Sequence, residues 1–241
     1  ELLLPPACAG CGRGVGAGPL CSRCDTSLPR IPHGHCALCQ AAPPLPGSRC
    51  CPACREGSSP LAACLAAAPY AGEVARAVQR FKYPRPGILG MDPAPGALLR
   101  SLLGEAAARS PDRGQLVVPV PQHPARLRRR GFNPAAELAR PLARVHGIRF
   151  APVALERLRD TRSQTGLDRR ERGRNVAGAF RVRVGQAIPP LVWLVDDVVT
   201  TGATLREAAQ ALRDAGARNV TALCAARTPI GDGSGVTAPR G

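Results

Sequence analysis

The stretch from Leu191 to Gly216, LVWLVDDVVTTGATLREAAQALRDAG, decides the fold. Leu191 to Val195 is an apolar run rich in β-branched and aromatic side chains, the pattern of a strand buried on both faces of a parallel sheet. Asp196 and Asp197 close that strand. The loop Val198 to Thr204 then leads into a helix whose apolar residues Leu205, Ala208, Ala209 and Leu212 recur at helical spacing, and Gly216 stops it. A strand, a small-residue loop and a helix N-terminus bring unpaired backbone N–H groups and the positive end of a helix dipole to one place, so the loop is predicted to hold a phosphate. Carboxylates beside a phosphate make sense if they address something uncharged or cationic, such as the paired hydroxyls of a ribose or a bound Mg²⁺. A ribose 5-phosphate satisfies both halves.

Val192 to Thr204 resembles the 13-residue signature of the type I phosphoribosyltransferases, which bind phosphoribosyl pyrophosphate (PRPP) on a strand, two acidic residues and a Thr/Gly-rich loop. A strand ending in two aspartates is also the form of a Walker B segment, but a P-loop ATPase needs GxxxxGK[ST], and the only lysine in the chain is Lys82 in Arg80-Phe81-Lys82-Tyr83. A simple acidic turn with Thr200 or Thr201 as an N-cap explains one hydroxyl, not three threonines, a glycine and two carboxylates together.

At 241 residues with an apolar fraction of 44%, the chain holds one full α/β domain and something smaller. A formal charge of +16 favours polyanionic partners: nucleic acid, phosphorylated metabolites or an acidic membrane surface. Aromatics at 3% leave few platforms for base stacking, which pushes any nucleic-acid binding towards backbone contacts. No apolar run is long enough to span a membrane. Glu1 is not a methionine, which leaves a fragment, a processed product and a lost leader as alternatives.

Residues 1 to 60 carry four CxxC pairs, Cys8/Cys11, Cys21/Cys24, Cys36/Cys39 and Cys51/Cys54. A CxxC turn points two thiolates at one ion and two turns complete a tetrahedral site, so four turns predict two structural zinc ions. Disulfides suit an exported protein, and a redox CxxC needs a single motif in a βαβ setting. Which pairs share an ion is left open, and His33, His35 and Cys50 are read as spectators. With few large apolar residues, this segment is expected to fold on its metal and, on losing it, to unfold without the rest.

Further along, Leu61 to Tyr70 reads as a strand or short helix, Glu73 to Lys82 and Ala97 to Arg109 as helices, and Leu116 to Pro121 as a strand. Gln122 to Arg130 reads as a basic loop ending in Arg128-Arg129-Arg130-Gly131-Phe132-Asn133, followed by a helix from Pro134 to His146. Three adjacent arginines at a strand-to-helix junction are placed to meet phosphate oxygens. Arg157 to Arg174, RLRDTRSQTGLDRRERGR, is too polar to pack and reads as a mobile hairpin loop. From Arg126 to Arg183, 16 arginines face 5 acidic residues. Asn219 to Ala226 is a last buried strand, and residues 229 to 241 are expected to be disordered.

A tandem zinc ribbon joined to a domain containing RRRGFN, QTGL and VDDVVTTGAT resembles the ComF family of competence-associated, phosphoribosyltransferase-like proteins over nearly the whole chain. The resemblance implies a double zinc ribbon over residues 1–60, a Rossmann-like type I phosphoribosyltransferase domain with a parallel sheet over 61–228, a tail over 229–241, and a cytoplasmic location. It implies a displacement at ribose C1 with Mg²⁺ accompanying PRPP, with Asp196 and Asp197 as the catalytic carboxylates on the ribose hydroxyls. Val199, Thr200, Thr201, Gly202, Ala203 and Thr204 would hold the 5-phosphate, and Arg128, Arg129, Arg130, Arg162 and Arg172 would receive pyrophosphate. Single-stranded DNA and DNA-uptake proteins are the implied partners. The alternative is a non-catalytic zinc-ribbon adaptor for single strands with a relic or sensory PRPP site.

The cysteine spacing carries its own test. Elemental analysis of the purified protein is expected to find about two zinc ions per chain, whereas a metal-free protein with disulfides by mass spectrometry contradicts it.

Overall fold

The strands of the main sheet all run the same way, which gathers their carboxyl ends on one edge. The computed structural model describes residues 7–16, 18–32, 34–36, 38–40, 44–48, 50–56, 59–84, 93–159 and 178–229. In it β1 (Ala63–Pro69), β2 (Leu116–Pro119), β3 (Arg149–Phe150), β6 (Leu191–Val199) and β7 (Asn219–Arg227) form a five-stranded parallel sheet in the order β1-β7-β6-β2-β3. A separate antiparallel pair, β4 (Leu155–Arg157) and β5 (Phe180–Val182), flanks the basic stretch that was read as a hairpin loop.

The apolar runs form central strands because helices cover both faces. On one face α3 (Gly72–Lys82), α4 (Ala94–Ala108) and α6 (Pro134–His146) bury Val78, Leu102 and Leu138 with Trp193, Val195 and Leu223. On the other, α7 (Ala203–Asp214) buries Leu205 and Leu212 against Leu194 and Val220, with Phe180 of β5. Three short helices complete the described elements: α1 (Ser22–Ser27), α2 (Pro52–Glu56) and α5 (Pro124–Arg130).

Two expectations are corrected. Strand β6 runs on to Val199, because Asp196, Val198 and Val199 keep their parallel register with Cys224, Ala226 and Arg227 of β7. The carboxylates therefore lie within the strand rather than closing it, and the loop shrinks to Thr200-Thr201-Gly202. The basic loop before Gly131 is helix α5: His123 accepts the Ala125 N–H at its start, Pro124 suits the first turn, and Gly131 at φ 84° ends it left-handed. Residues 85–92, 160–177 and 230–241, which include Arg162, Arg172 and almost all of the expected tail, lie outside the described residues.

The exposed side of edge strand β1 is covered by the second cysteine-rich turn. Leu38 accepts the Cys64 N–H through its carbonyl at 2.6 Å, and the Gln40 side chain accepts the Ala66 N–H at 2.6 Å. Ile31 donates to the Ala67 carbonyl at 2.8 Å. An uncovered edge strand offers unpaired donors to other chains, and here the turn pairs them. Gln40 is buried and holds a positive φ of 52°, so its position is imposed by the turn around it. The first turn is fastened differently: Arg30 donates to both Glu105 oxygens on α4 and to Asp25, while Leu20 and Leu28 join the α3–α4 core.

Loss of metal from the second cluster will therefore be felt by the sheet, and the cysteine-rich segment is not energetically separate from it. Gln40→Ala leaves the buried Ala66 N–H without its acceptor and is expected to cost about 1–3 kcal/mol in chemical denaturation. A variant as stable as the parent contradicts this coupling.

Candidate functional site

The eight cysteines form two separate clusters. Cys8, Cys11, Cys21 and Cys24 bring their sulfurs within 4.8 Å of one another, and so do Cys36, Cys39, Cys51 and Cys54. Neighbouring pairs therefore share a centre. A tetrahedral ion with Zn–S bonds of about 2.3 Å sets the sulfurs about 3.8 Å apart. The Cys11–Cys21 and Cys39–Cys51 separations are 3.8 and 3.7 Å, so the donor sets fit zinc. Burial raises the Cys8 thiol, but the backbone amides of Cys11, Cys21 and Gly10 outweigh it and bring it down to about 6, favouring the thiolate that binds metal. A Cβ on Gly10 would meet Cys24 Sγ at 3.0 Å, so this turn leaves no room for a side chain. His35 turns away to the Gln40 carbonyl.

The second site lies on the carboxyl edge of the sheet. From β2 the chain turns outward through α5 and α6 to β3, and from β6 it turns the other way through α7 to β7, so the chain direction reverses between β2 and β6. Parallel α/β sheets bind ligands in the crevice that opens at such a point. Thr200-Thr201-Gly202 sits there at the end of β6. Gly202 at φ 75° makes the turn that a side chain resists, and the Thr201 hydroxyl accepts the Ala203 N–H at 3.4 Å. Arg206 folds back onto the Thr201 carbonyl at 3.1 Å and fixes the loop against α7.

Alternation along β6 sends the two aspartates to opposite faces. Asp197 is buried on the α3 side, where Lys82 Nζ meets its Oδ1 at 2.9 Å. Helix α3 thus reaches from β1 to β6, two positions across the sheet. Burial alone lowers the Lys82 ammonium, but Asp197 and then Asp196 outweigh it and hold it above its ordinary value. On the other face Asp196 accepts the Asp197 N–H at 2.9 Å. Asp196 is half-buried at its surface, but the atoms packed round its carboxyl desolvate it and, reinforced by the Asp197 charge, push it from 3.8 up to about 7, against the pull of Lys82 and of Arg157 on β4.

The RRRGFN motif divides its duties. Asn133 caps α6 by accepting the Ala135 N–H and anchors to the Val120 carbonyl at 3.0 Å, and Phe132 packs edge-on against Phe81 at 6.0 Å. Arg130 lies 4.9 Å over the Tyr83 ring, beside Lys82, while Arg128 and Arg129 are exposed. Asp196, Asp197, Val199 to Thr204 and Arg130 thus belong to one edge, and Arg128 and Arg129 lie outside the carboxylate cluster. Sequence reading missed Lys82 as a site residue; its signal was being the only lysine among 33 basic residues. It also missed the buried Arg227, which donates to the Cys64 sulfur at 3.2 Å. Arg130 Nε is buried and has no hydrogen-bond partner among the described residues, a property it shares with Ser110 Oγ and Trp193 Nε1, so by itself it marks no ligand.

Known proteins resemble the chain along most of its length. It is 34% identical over 229 residues to the DNA utilization protein YhgH of Salmonella typhi, covering 92% of this chain and 90% of that protein. Competence protein F of Haemophilus influenzae is 27% identical, with 88% of this chain and 86% of that protein covered. Competence protein ComFC of Streptococcus pneumoniae is 28% identical, with 83% and 84% covered. No protein-family model matches the chain.

The raised carboxyl has a stability signature. The folded state keeps a proton on Asp196 up to about pH 7, whereas the unfolded chain loses it near its ordinary value. Its contribution is therefore complete at low pH and is lost as pH rises through about 7. Thermal melting is expected to show the gap between Asp196→Asn and the parent widening in the variant's favour from about pH 5 to about pH 8. A gap that stays constant or reverses contradicts the assignment.

Proposed function

Because the chain belongs to the ComF family of competence-associated, phosphoribosyltransferase-like proteins, we propose that it binds PRPP at the carboxyl edge of its sheet and serves the handling of incoming DNA. The observation that carries this reading is the loop Thr200-Thr201-Gly202 between a carboxylate-bearing strand and a helix N-terminus, set at the point where the chain direction reverses. A phosphate requires donors, which the Thr201 hydroxyl and the amides opening α7 supply. Ribose hydroxyls require acceptors, which Asp197 and Asp196 would supply from the strand that leads into the loop. The names of the relatives support the DNA role.

In this reading the bond between ribose C1 and pyrophosphate breaks while a nucleophile bonds to C1 and the electron pair leaves with pyrophosphate. Arg130 is proposed to meet that growing negative charge, so that its attraction is stronger in the transition state than in the bound substrate. Arg128 and Arg129 of α5 are proposed to join it, together with Arg162 and Arg172, which lie outside the described residues. Magnesium would enter with the pyrophosphate. The carboxylate pair itself does not fit it, because Lys82 already occupies an oxygen of Asp197. Residues 1–60 and 61–228 are proposed as the zinc-ribbon and PRPP domains.

A sensory reading, in which PRPP is bound without turnover and exposed arginines such as Arg128 and Arg129 hold single-stranded DNA by its phosphates, differs in one measurement. Pyrophosphate release from PRPP supports the transferase, and tight binding without release supports the sensor. The site common to both is tested by calorimetry on folded variants. Asp197→Asn is expected to lose roughly ten- to hundredfold in PRPP affinity, the worth of a hydrogen bond to a charged group. Thr201→Val is expected to weaken ribose 5-phosphate as much as PRPP, because the 5-phosphate is common to both. If both variants bind PRPP as the parent does, the loop is structural and the reading is wrong.

A further inference from the structure

Lys82 is unusual in this chain before its position is considered. Of 33 basic residues it alone is a lysine, and it pairs with the Asp197 carboxylate of β6. Its ammonium sits 2.9 Å from Asp197 Oδ1, with 24% of the side chain and 8% of its partner exposed. Arg130 is close enough to repel it, and the next residue, Tyr83, lies under the Arg130 guanidinium. An ammonium is a compact charge with three rotatable donors, whereas a guanidinium is a broad planar fork. A single ammonium contact, at Oδ1, holds the 8%-exposed Asp197 carboxylate, and a carboxylate has further lone pairs with which to accept from a ligand.

We infer that Lys82 is the resident cation of the ribose-binding carboxylates, doing there what a divalent metal does elsewhere, so that the ribose 5-phosphate half of the ligand binds without Mg²⁺. This rests on the reading of the crevice as a ribose-phosphate site and adds to it the means by which charge is balanced. The Asp197 carboxylate and a phosphate dianion place negative charge at one crevice, and a fixed ammonium offsets part of it. A second cation on the same carboxylate would be repelled by the first. Lys82 is a positioning residue: it pairs with Asp197 and aims it, and it touches the sugar only through that carboxylate.

Because the chain contains one lysine, selective ¹⁵N-lysine labelling gives a single side-chain ammonium signal, that of Lys82. Adding ribose 5-phosphate in EDTA is expected to shift that signal, and calorimetry is expected to give the same affinity in EDTA and in Mg²⁺. Lys82→Gln is expected to bind roughly ten- to hundredfold more weakly in EDTA and to recover most of the loss in Mg²⁺, since the ion can then take the vacated place. A purely structural lysine would show no rescue by metal. If the parent binds only with Mg²⁺, or the variant binds in EDTA as the parent does, the role of Lys82 is overturned while the site stands. No binding of ribose 5-phosphate in either buffer overturns the site reading and this inference together. Should Lys82→Gln fail to fold, the parent alone decides: a requirement for Mg²⁺, or an unmoved ammonium signal at saturation, is the contrary result.

Discussion

Two consecutive carboxylates on a buried strand cannot both stay ionised without compensation, and much of the carboxyl edge is arranged around that constraint. Alternation along β6 separates Asp196 and Asp197 onto opposite faces, and each face answers differently. On one, Lys82 reaches across from α3 and pairs with Asp197. On the other, Asp196 has a distant arginine and a backbone amide, and its carboxyl rises to about 7. The pair is therefore asymmetric: Asp197 meets an ammonium at 2.9 Å, and the Asp196 carboxyl is raised to about 7. An asymmetric pair is suited to a sugar diol, for which one strong acceptor fixes the orientation and the second adjusts to it.

The same edge draws on the cysteine-rich segment through β1. Leu38 lies inside the Cys36–Cys39 turn and Gln40 directly follows it, and both close hydrogen bonds on β1 that nothing else in the sheet supplies. Cys64 then passes the connection on, since its carbonyl and sulfur both receive the buried Arg227 guanidinium at the end of β7. Metal binding by the second cluster is thus linked to the rigidity of the strands that present the site. The first cluster is fastened to α4 through Arg30 and Glu105, and Ile31, which follows Arg30, donates to the Ala67 carbonyl of β1.

How much of this was legible depended on the range of the interaction. Central strands β6 and β7 and helices α6 and α7 were readable because burial on one or two faces writes a period into the sequence. The cysteine turns were readable because coordination geometry fixes their spacing, although the partition into two clusters awaited the fold. The end of β6 was misplaced because aspartate disfavours strands, and only pairing with β7 overrides that preference. Helix α5 was taken for a loop because its seven residues are mostly arginine, and the His123 cap and Gly131 stop outweighed the missing apolar face. Lys82 was read only as the absence of a P-loop. Its partner lies 115 positions away, and no local pattern announces a contact of that kind.

The account stands or falls on a ribose 5-phosphate bound where β6 meets α7. A crystal structure of the zinc-loaded protein with that compound answers it most directly. The account predicts the phosphate on the Thr201 hydroxyl and the first amides of α7, the ribose hydroxyls on Asp197, and Lys82 still paired with that carboxylate. A phosphate bound elsewhere on the arginine-rich surface, with the loop after β6 empty at saturating ligand, would contradict it.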